Sequence, residues 1–465
     1  MKPMRSKNET DMINGPLLPG ILSFSIIVLL TNLMQLLFNT ADLVVVGKFA
    51  GNDALGAVGA TGALTALFIN LFIGFSVGIG VVCTHCYGAG DAKGFREIID
   101  TSMTLSAVCG TVLGIAGFFL SGAVLKLMGT PESLMSMAAI YLKIYFLGMP
   151  ALMFFNYMAA VLRAVGNTKT PMLILGISGG ANIILNLIFV IVFHMDVAGV
   201  ALATTVSQYL SAAMLLHHML TADAPYRMEK VSFRIYGDKL KRIMYIGIPN
   251  SIYGTIISLS NVFIQSSLNT FDKAAITGSS AAGNVEGYVY QFVACFHHSA
   301  LNFVGQNYGA GNFDRIKRIQ RICYTCVIVC GIVLGCVTYL NGDSLMRIFL
   351  RDTTDTETVI AFGLERMKLI CIPYFLCGLM EVITGVLNGL GKSVSPTVVS
   401  VLGFCGVRVV WLLTVFRHHH TLTALYLSYP VSWTLSFIAL FVVYMAVRRK
   451  IFPKSQKIPV TAESQ

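Results

Sequence analysis

The sequence predicts an all-α integral membrane protein: twelve transmembrane helices in two six-helix bundles, related by a pseudo-two-fold axis along the membrane normal. Three observations predict it. Of 465 residues 55% are hydrophobic and only 12% charged, with mean hydropathy +0.73. A soluble globular chain carries about 25% charged residues, so most of this one is solvated by lipid. The charges are bunched between long uncharged runs, each near or above the ~20 residues a helix needs to cross the hydrocarbon layer. The third observation is an internal repeat. Closed barrels need short alternating segments, and these runs do not alternate.

The runs place the helices in order. Uncharged stretches 54–87, 101–125, 170–193, 197–216, 243–271, 323–341 and 421–447 anchor the second, third, fifth, sixth, seventh, ninth and twelfth spans. Spans interrupted by charge complete the set, which reads 17–40, 54–84, 98–125, 133–162, 170–194, 197–220, 240–270, 274–305, 319–341, 359–389, 394–416 and 421–447. The basic head (Lys2, Arg5, Lys7) leads into an apolar stretch longer than a signal-peptide core, so no cleavable signal is expected.

Positive charge sets the orientation. With both termini on one side, 23 of the 33 Lys and Arg residues fall on that side, Arg163 among them. Six fall opposite (Lys48, Lys126, Lys273, Arg347, Arg351, Arg417), and Lys143, Arg366, Lys368 and Arg408 lie within spans. Both termini are therefore expected in the cytoplasm, and the protein in the inner (plasma) membrane. The net charge of +11 belongs to helix ends beside anionic lipid, so no nucleic-acid partner is expected.

"YGAGDAKGFREI" (87–98) returns as "YGAGNFDRIKRI" (308–319), displaced by 221, and "VLRAVGNTKTP" (161–171) returns as "VLNGLGKSVSP" (386–396), displaced by 225. Two matches at nearly one offset indicate a duplication of six helices. Six is even, so both halves enter the membrane the same way. The expected organisation is an N-terminal bundle (1–220), a cytoplasmic linker (221–238) and a C-terminal bundle with a short basic tail (239–465).

Several motifs dissolve on inspection. "GLGKS" (389–393) lacks the first glycine of a phosphate-binding loop, where Val386 stands, and reads as a helix-ending turn. The eleven cysteines are an odd number lying mostly within spans, so no disulfide framework follows. Cys83-x-x-Cys86 and Cys323-x-x-Cys326 read as small apolar packing residues rather than metal pairs. His418–His420 reads as a solvated loop. Gly74/Gly78, Gly110/Gly114, Gly176/Gly180 and Gly331/Gly335 read as close helix crossings. No catalytic constellation or cofactor motif is present, and no metal is expected.

"NTADLVVVG" at the end of the first helix resembles the N-x-x-D-x-x-x-x-G signature of the multidrug and toxic-compound extrusion (MATE) transporters. "YGAGD", "VLRAVGNTKTP", "NIILNLIFV" and "GVALATTVSQ" resemble the same family in the same order, closest to its prokaryotic DinF-like branch. The resemblance implies two bundles forming a V around a central cavity. It also implies alternating access and cation-coupled (H⁺ or Na⁺) antiport of organic, often cationic, compounds. The expected protein is a monomeric exporter whose partners are small organic substrates and membrane lipid.

Carried over residue by residue, the family's cation site falls on Asp42, Asn182, Asn186 and Thr204. Between residues 17 and 46 Asp42 is the only charge, and a charge at the bilayer centre costs roughly 2.5–3.5 kcal/mol on insertion scales. Asn186 stands where many relatives have a second acid, which leaves a single titratable group. An exposed acid at a helix end is the plainer reading of Asp42, and interhelical hydrogen bonding that of Asn182, Asn186 and Thr204. Gln35 and Asn156 are expected to line the substrate cavity, Gln35 lying seven residues before Asp42 on roughly the same face. In the second half Glu286, Glu381 and Arg408 stand in otherwise apolar surroundings. Arg408 is free to neutralise either acid. A structural Glu381–Arg408 pair and a cation or substrate site stay open as alternatives. The rival function is a flippase for a lipid-linked saccharide, of the same broad superfamily.

Overall fold

The computed structural model describes residues 9–350 and 356–452. The basic head, Arg351 and the end of the basic tail from residue 453 onward lie outside the described residues. The helices are α1 (Leu17–Val45), α2 (Asn52–Gly88), α3 (Ala92–Leu127), α4 (Glu132–Leu147), α5 (Met149–Ala164), α6 (Lys169–Leu187), α7 (Asp196–Thr221) and α8 (Gly237–Leu268). They continue with α9 (Lys273–Gly309), α10 (Phe313–Leu340), the short α11 (Gly342–Arg347), α12 (Thr356–Ile370), α13 (Tyr374–Gly389), α14 (Val394–Ser400), α15 (Val407–Trp411) and α16 (Leu422–Ile451). Among the described residues these make twelve helical segments, the short α11 aside and counting α4–α5, α12–α13 and α14–α15 as one each; eight of the twelve, or ten with the two bent pairs, are long and apolar enough to cross a membrane.

Two crossings are bent where the sequence reading had straight helices. α4 meets α5 at 47° and α12 meets α13 at 45°. Pro150 and Pro373 explain the breaks, since proline lacks the N–H that the preceding turn would bond. The junctions, Gly148 and Pro373, are displaced by 225, the offset of the second repeat. α8 and α9 are less apolar than the other spans. α9 has reason to be: it packs against α1, α2, α10, α12 and α13 and so meets protein rather than lipid.

The repeated motifs build the same turn twice. In each copy a glycine takes a left-handed φ: Gly90 (71°) and Gly311 (74°), then Gly166 (93°) and Gly391 (72°). The next N–H reaches back five residues, Asp91 to the Cys86 carbonyl (2.9 Å), Asn312 to Asn307 (2.8 Å), Asn167 to Leu162 (2.9 Å) and Lys392 to Leu387 (2.9 Å). That bond satisfies a carbonyl the helix end would otherwise leave unpaired. "GLGKS" is such a turn.

Two large hydrophobic clusters form, one mainly from α2–α7 and one mainly from α9–α16. The start of α1 belongs to the second: Ile21, Phe24 and Val28 pack there, with Phe24 edge-on to Phe303 at 5.9 Å. The halves are pinned where the basic loops lie. A Cβ on Gly74 or Gly78 would stand 2.2 Å from Ser251 N or 2.4 Å from the Ile243 carbonyl, so α2 and α8 touch backbone to backbone. Ser25 and Ser299 hydroxyls meet at 2.7 Å, His85 Nε2 donates to the Gly389 carbonyl at 2.7 Å, and Gln306 Nε2 donates to the Ala164 carbonyl at 2.6 Å.

Gly110/Gly114 and Gly331/Gly335 seat α3 on the α4–α5 junction and α10 on the α12–α13 junction, as expected of small residues on one face. The Gly176/Gly180 reading is corrected. Gly176 approaches Met34, but Gly180 faces open space, and its neighbour Gly179 takes the close contact with Phe38. The segment between α7 and α8 lies against the first half: Tyr226 is buried against Asn167 and His218, and Arg96 pairs with Glu229. His420, read as part of a solvated loop, stacks on Phe271 at 4.7 Å.

Candidate functional site

α1, α6 and α7 bring four polar side chains into a closed ring. Asn186 Nδ2 donates to Asp42 Oδ1 at 2.5 Å and to Asn182 Oδ1 at 3.3 Å. Asn182 Nδ2 donates to Thr204 Oγ1 at 3.4 Å, and Thr204 Oγ1 lies 3.3 Å from Asp42 Oδ2 and 3.0 Å from the Val200 carbonyl. Asn182 and Asn186 are buried, and Asp42 is half-buried. The helical period explains the ring: Asn182 and Asn186, four apart, share the face of α6 toward Asp42. One polar atom is left over, the buried Asn186 Oδ1, which has no partner in the described structure.

Both helices that carry the ring's charge and amides end in π-helical turns just beyond it, Val46–Ala50 after Asp42 and Ile188–Val192 after Asn186. Such turns widen a helix by one residue and re-aim its side chains. The link to α7 holds His194 (φ 54°) and Asp196 (φ 46°) in the left-handed region, a costly conformation for residues other than glycine.

A cavity of about 210 Å³ lies in the first half above the pinned end. Gln35 and Asn156 both line it, with Thr31, Asn32, Arg163 and, from the second half, His298. Asp42 is not a lining residue. It lies seven residues, about 10 Å, further along α1 than Gln35. By sequence Arg163 belongs with the basic loop residues. α5 continues to Ala164, and helical side chains tilt back toward the N-terminus, so the guanidinium enters the cavity instead.

The second half corrects the pairing of its charges. Glu381 and Arg408 form no ion pair among the described residues, and Arg408 neutralises neither acid. Glu286 is held by Arg366: Nε donates to Oε1 at 2.9 Å and Nη2 to Oε2 at 2.8 Å, while Nη1 donates to Ser279 Oγ at 2.8 Å. Glu381 meets His297 Nδ1 at 3.1 Å and accepts from Tyr290 (3.4 Å) and Tyr253 (3.5 Å). The same Nδ1 lies 3.0 Å from the Glu381 carbonyl, so with two acceptors that nitrogen carries the proton. Arg408 is sandwiched between Phe404 (3.8 Å) and Tyr429 (4.1 Å) and donates to Ser432 and Asn261. Glu286, Glu381 and Arg408 are 6%, 6% and 1% exposed and do not line the cavity.

Arg366 and His297 were missed because neither announces itself in sequence. Arg366 is flanked by Glu365 and Lys368 and reads as interfacial, and His297 carries no formal charge. The available signal was the cost of an unpaired acid in a membrane, which demands a basic partner for each.

The MatE family model matches this chain twice, at residues 28–188 and 249–414. The chain belongs to the MatE family. It is a multi-pass membrane transporter, and several of its relatives are named multidrug resistance or export proteins. A probable multidrug resistance protein of Bacillus subtilis, YoeA, is 27% identical over 92% of this chain and 93% of its own. Among solved structures, a MOP superfamily transporter from Pyrococcus furiosus superposes with a TM-score of 0.89, 18% identity and coverage of 97% and 100%. An outward-facing multidrug resistance MATE transporter of the MOP superfamily superposes at 0.86, with 19% identity and coverage of 96% and 98%.

Proposed function

We propose that this MATE transporter exports organic molecules by alternating access, coupled to a cation taken up at Asp42. The observation that carries the reading is the ring of Asp42, Asn182, Asn186 and Thr204. A carboxylate within reach of amide and hydroxyl oxygens suits either Na⁺ or a proton. The orphaned Asn186 Oδ1 supports a cation here, because a bound ion would satisfy the one acceptor the ring leaves unpaired. The contacts at the basic end support a state sealed toward the cytoplasm. Uptake or release of the ion beside the π turns of α1 and α6 would bias the helices against one another, with residues 1–220 and 239–465 as the moving bundles.

Cationic cargo is what the family resemblance implies, but among the described residues neither Glu286 nor Glu381 is left for it. Glu286 is held by Arg366 and Glu381 by His297 and two tyrosines, and Asp42 is assigned to the coupling cation. The test is efflux from liposomes holding purified protein, with Na⁺ and pH gradients imposed separately. Export driven by one gradient and lost in Asp42→Asn is expected; export that ignores both gradients refutes the coupling.

A further inference from the structure

We propose that Arg163 is an anion receptor at the base of the cavity, and that the exported molecule carries a carboxylate or phosphate group which this guanidinium grips. The inference rests on the export reading above and supplies its substrate class.

Four observations converge. Among the described residues Arg163 is the one formally charged side chain lining the cavity, and no carboxylate lines it. Among the described residues it has no hydrogen-bond or ion-pair partner, in contrast to Arg366, held by Glu286, and Arg408, bonded to Ser432 and Asn261. An unpaired guanidinium withdrawn from solvent is costly and invites a counter-charge. The buried acids that would provide one are engaged elsewhere, so it has to come from outside the protein.

The chemistry of the fork narrows the class. Five N–H donors in one plane match the paired oxygens of a carboxylate or phosphate, which a single ammonium does not. Around it the Asn32, Gln35 and Asn156 amides offer donors for oxygens that Arg163 leaves over, while the Thr31 hydroxyl donates to the Ile27 carbonyl at 2.8 Å. Asn156 spends one amide hydrogen on the Leu152 carbonyl at 2.9 Å and keeps the other. A volume of about 210 Å³ admits an ionised head group with a few waters. Arg163 also lines a smaller recess beneath the cavity with His298 and Asn302, whose Oδ1 has no partner. The polar floor is therefore continuous with the lobe contacts that close the basic end, which places an anion where it senses their opening.

The experiment pairs binding with transport for wild type, Arg163→Gln and Arg163→Lys, each first shown monodisperse in detergent. Probes are AMP for phosphate, fluorescein for carboxylate, ethidium for an organic cation and a short polyprenyl diphosphate for a lipid-linked anion. We expect AMP or fluorescein to bind wild type, about tenfold or more weaker binding in Arg163→Gln, and partial retention in Arg163→Lys, which keeps the charge but not the fork. Efflux of the same anion should fall in parallel. Anion binding that is absent from wild type, or equal in wild type and Arg163→Gln, overturns the inference. Export of ethidium with neither anion leaves the export reading standing and removes this one. Movement of the polyprenyl diphosphate alone keeps the receptor, assigns its ligand to lipid and overturns export of soluble compounds. Anion binding without movement of any probe keeps the receptor and refutes the export reading.

Discussion

Arg366 and Glu286 meet through two parallel hydrogen bonds, 2.9 and 2.8 Å long, with both side chains largely withdrawn from solvent. Tyr426 and Tyr429 lie 5.5 and 5.9 Å from the guanidinium carbon, so the pair is enclosed by aromatic surface as well. Removing one partner of a buried pair leaves an uncompensated charge and costs about 3–5 kcal/mol, while replacing both is often close to neutral. Glu286→Gln and Arg366→Met should each lower the thermal stability in detergent, and the double variant should recover much of the loss. The matching cycle for Glu381 and Arg408 should be additive, since those side chains have separate partners. Additivity in the Glu286–Arg366 cycle would show that the pair is not coupled.

Asp42→Asn is expected to leave the protein folded and inserted but to abolish gradient-driven export. The change is nearly isosteric, and Asn182 and Thr204 keep their mutual contact. What disappears is the charge that a cation compensates. Normal efflux rates in this variant under an imposed gradient would remove Asp42 from the coupling step.

The closed basic end depends on glycine at the α2–α8 crossing. A Cβ at position 78 would fall 2.4 Å from the Ile243 carbonyl, a distance that backbone atoms cannot tolerate. Gly78→Val should therefore force the helices apart, at a cost of about 1–3 kcal/mol in the sealed state. Ser76→Cys, on the same helix and lining the cavity, reports the opening. With Gly78→Val its labelling by an impermeant maleimide applied from the basic side should rise several-fold. Unchanged labelling would mean that this crossing does not hold the gate.

The twelve spans were legible because lipid makes the rule for the chain severe: an uncharged run of the right length has few other fates. The repeat was legible because left-handed turns demand glycine, and so "YGAG" and the glycines of 161–171 and 386–396 recur. Side-chain pairing was not legible. Arg408 and Glu381 are both isolated charges in apolar sequence, and nothing in either run says that Glu381 faces His297 while Arg408 stacks on Phe404 and Tyr429. Arg163 was misread for a geometric reason. A residue at the nominal end of a span reads as a loop charge, yet the tilt of a helical side chain returns it to the interior. The ring at Asp42 came from resemblance to a family; hydropathy marks the acid as costly without naming its partners.

The last prediction concerns the amide at position 186. Asn186 Nδ2 lies 2.5 Å from Asp42 Oδ1, so whatever replaces it bears directly on that carboxyl. Asn186→Asp conserves size and puts a second carboxyl at hydrogen-bonding distance in a buried site. Two carboxylates that close cannot both stay ionised, and the pair holds one proton more tightly than a lone acid does. If a proton is the coupling ion, its release requires a higher pH in the variant, so the pH profile of export should move upward. Sodium should respond in the same experiment, because Na⁺ and H⁺ compete for the charge. At low pH the variant, whose carboxyl pair holds its proton more tightly, should need more Na⁺ to reach a given rate. The measurement is efflux against pH for both forms, with and without Na⁺. A profile that does not move would show that position 186 does not act on the ion-coupling acid, and the ring would then be helix packing alone.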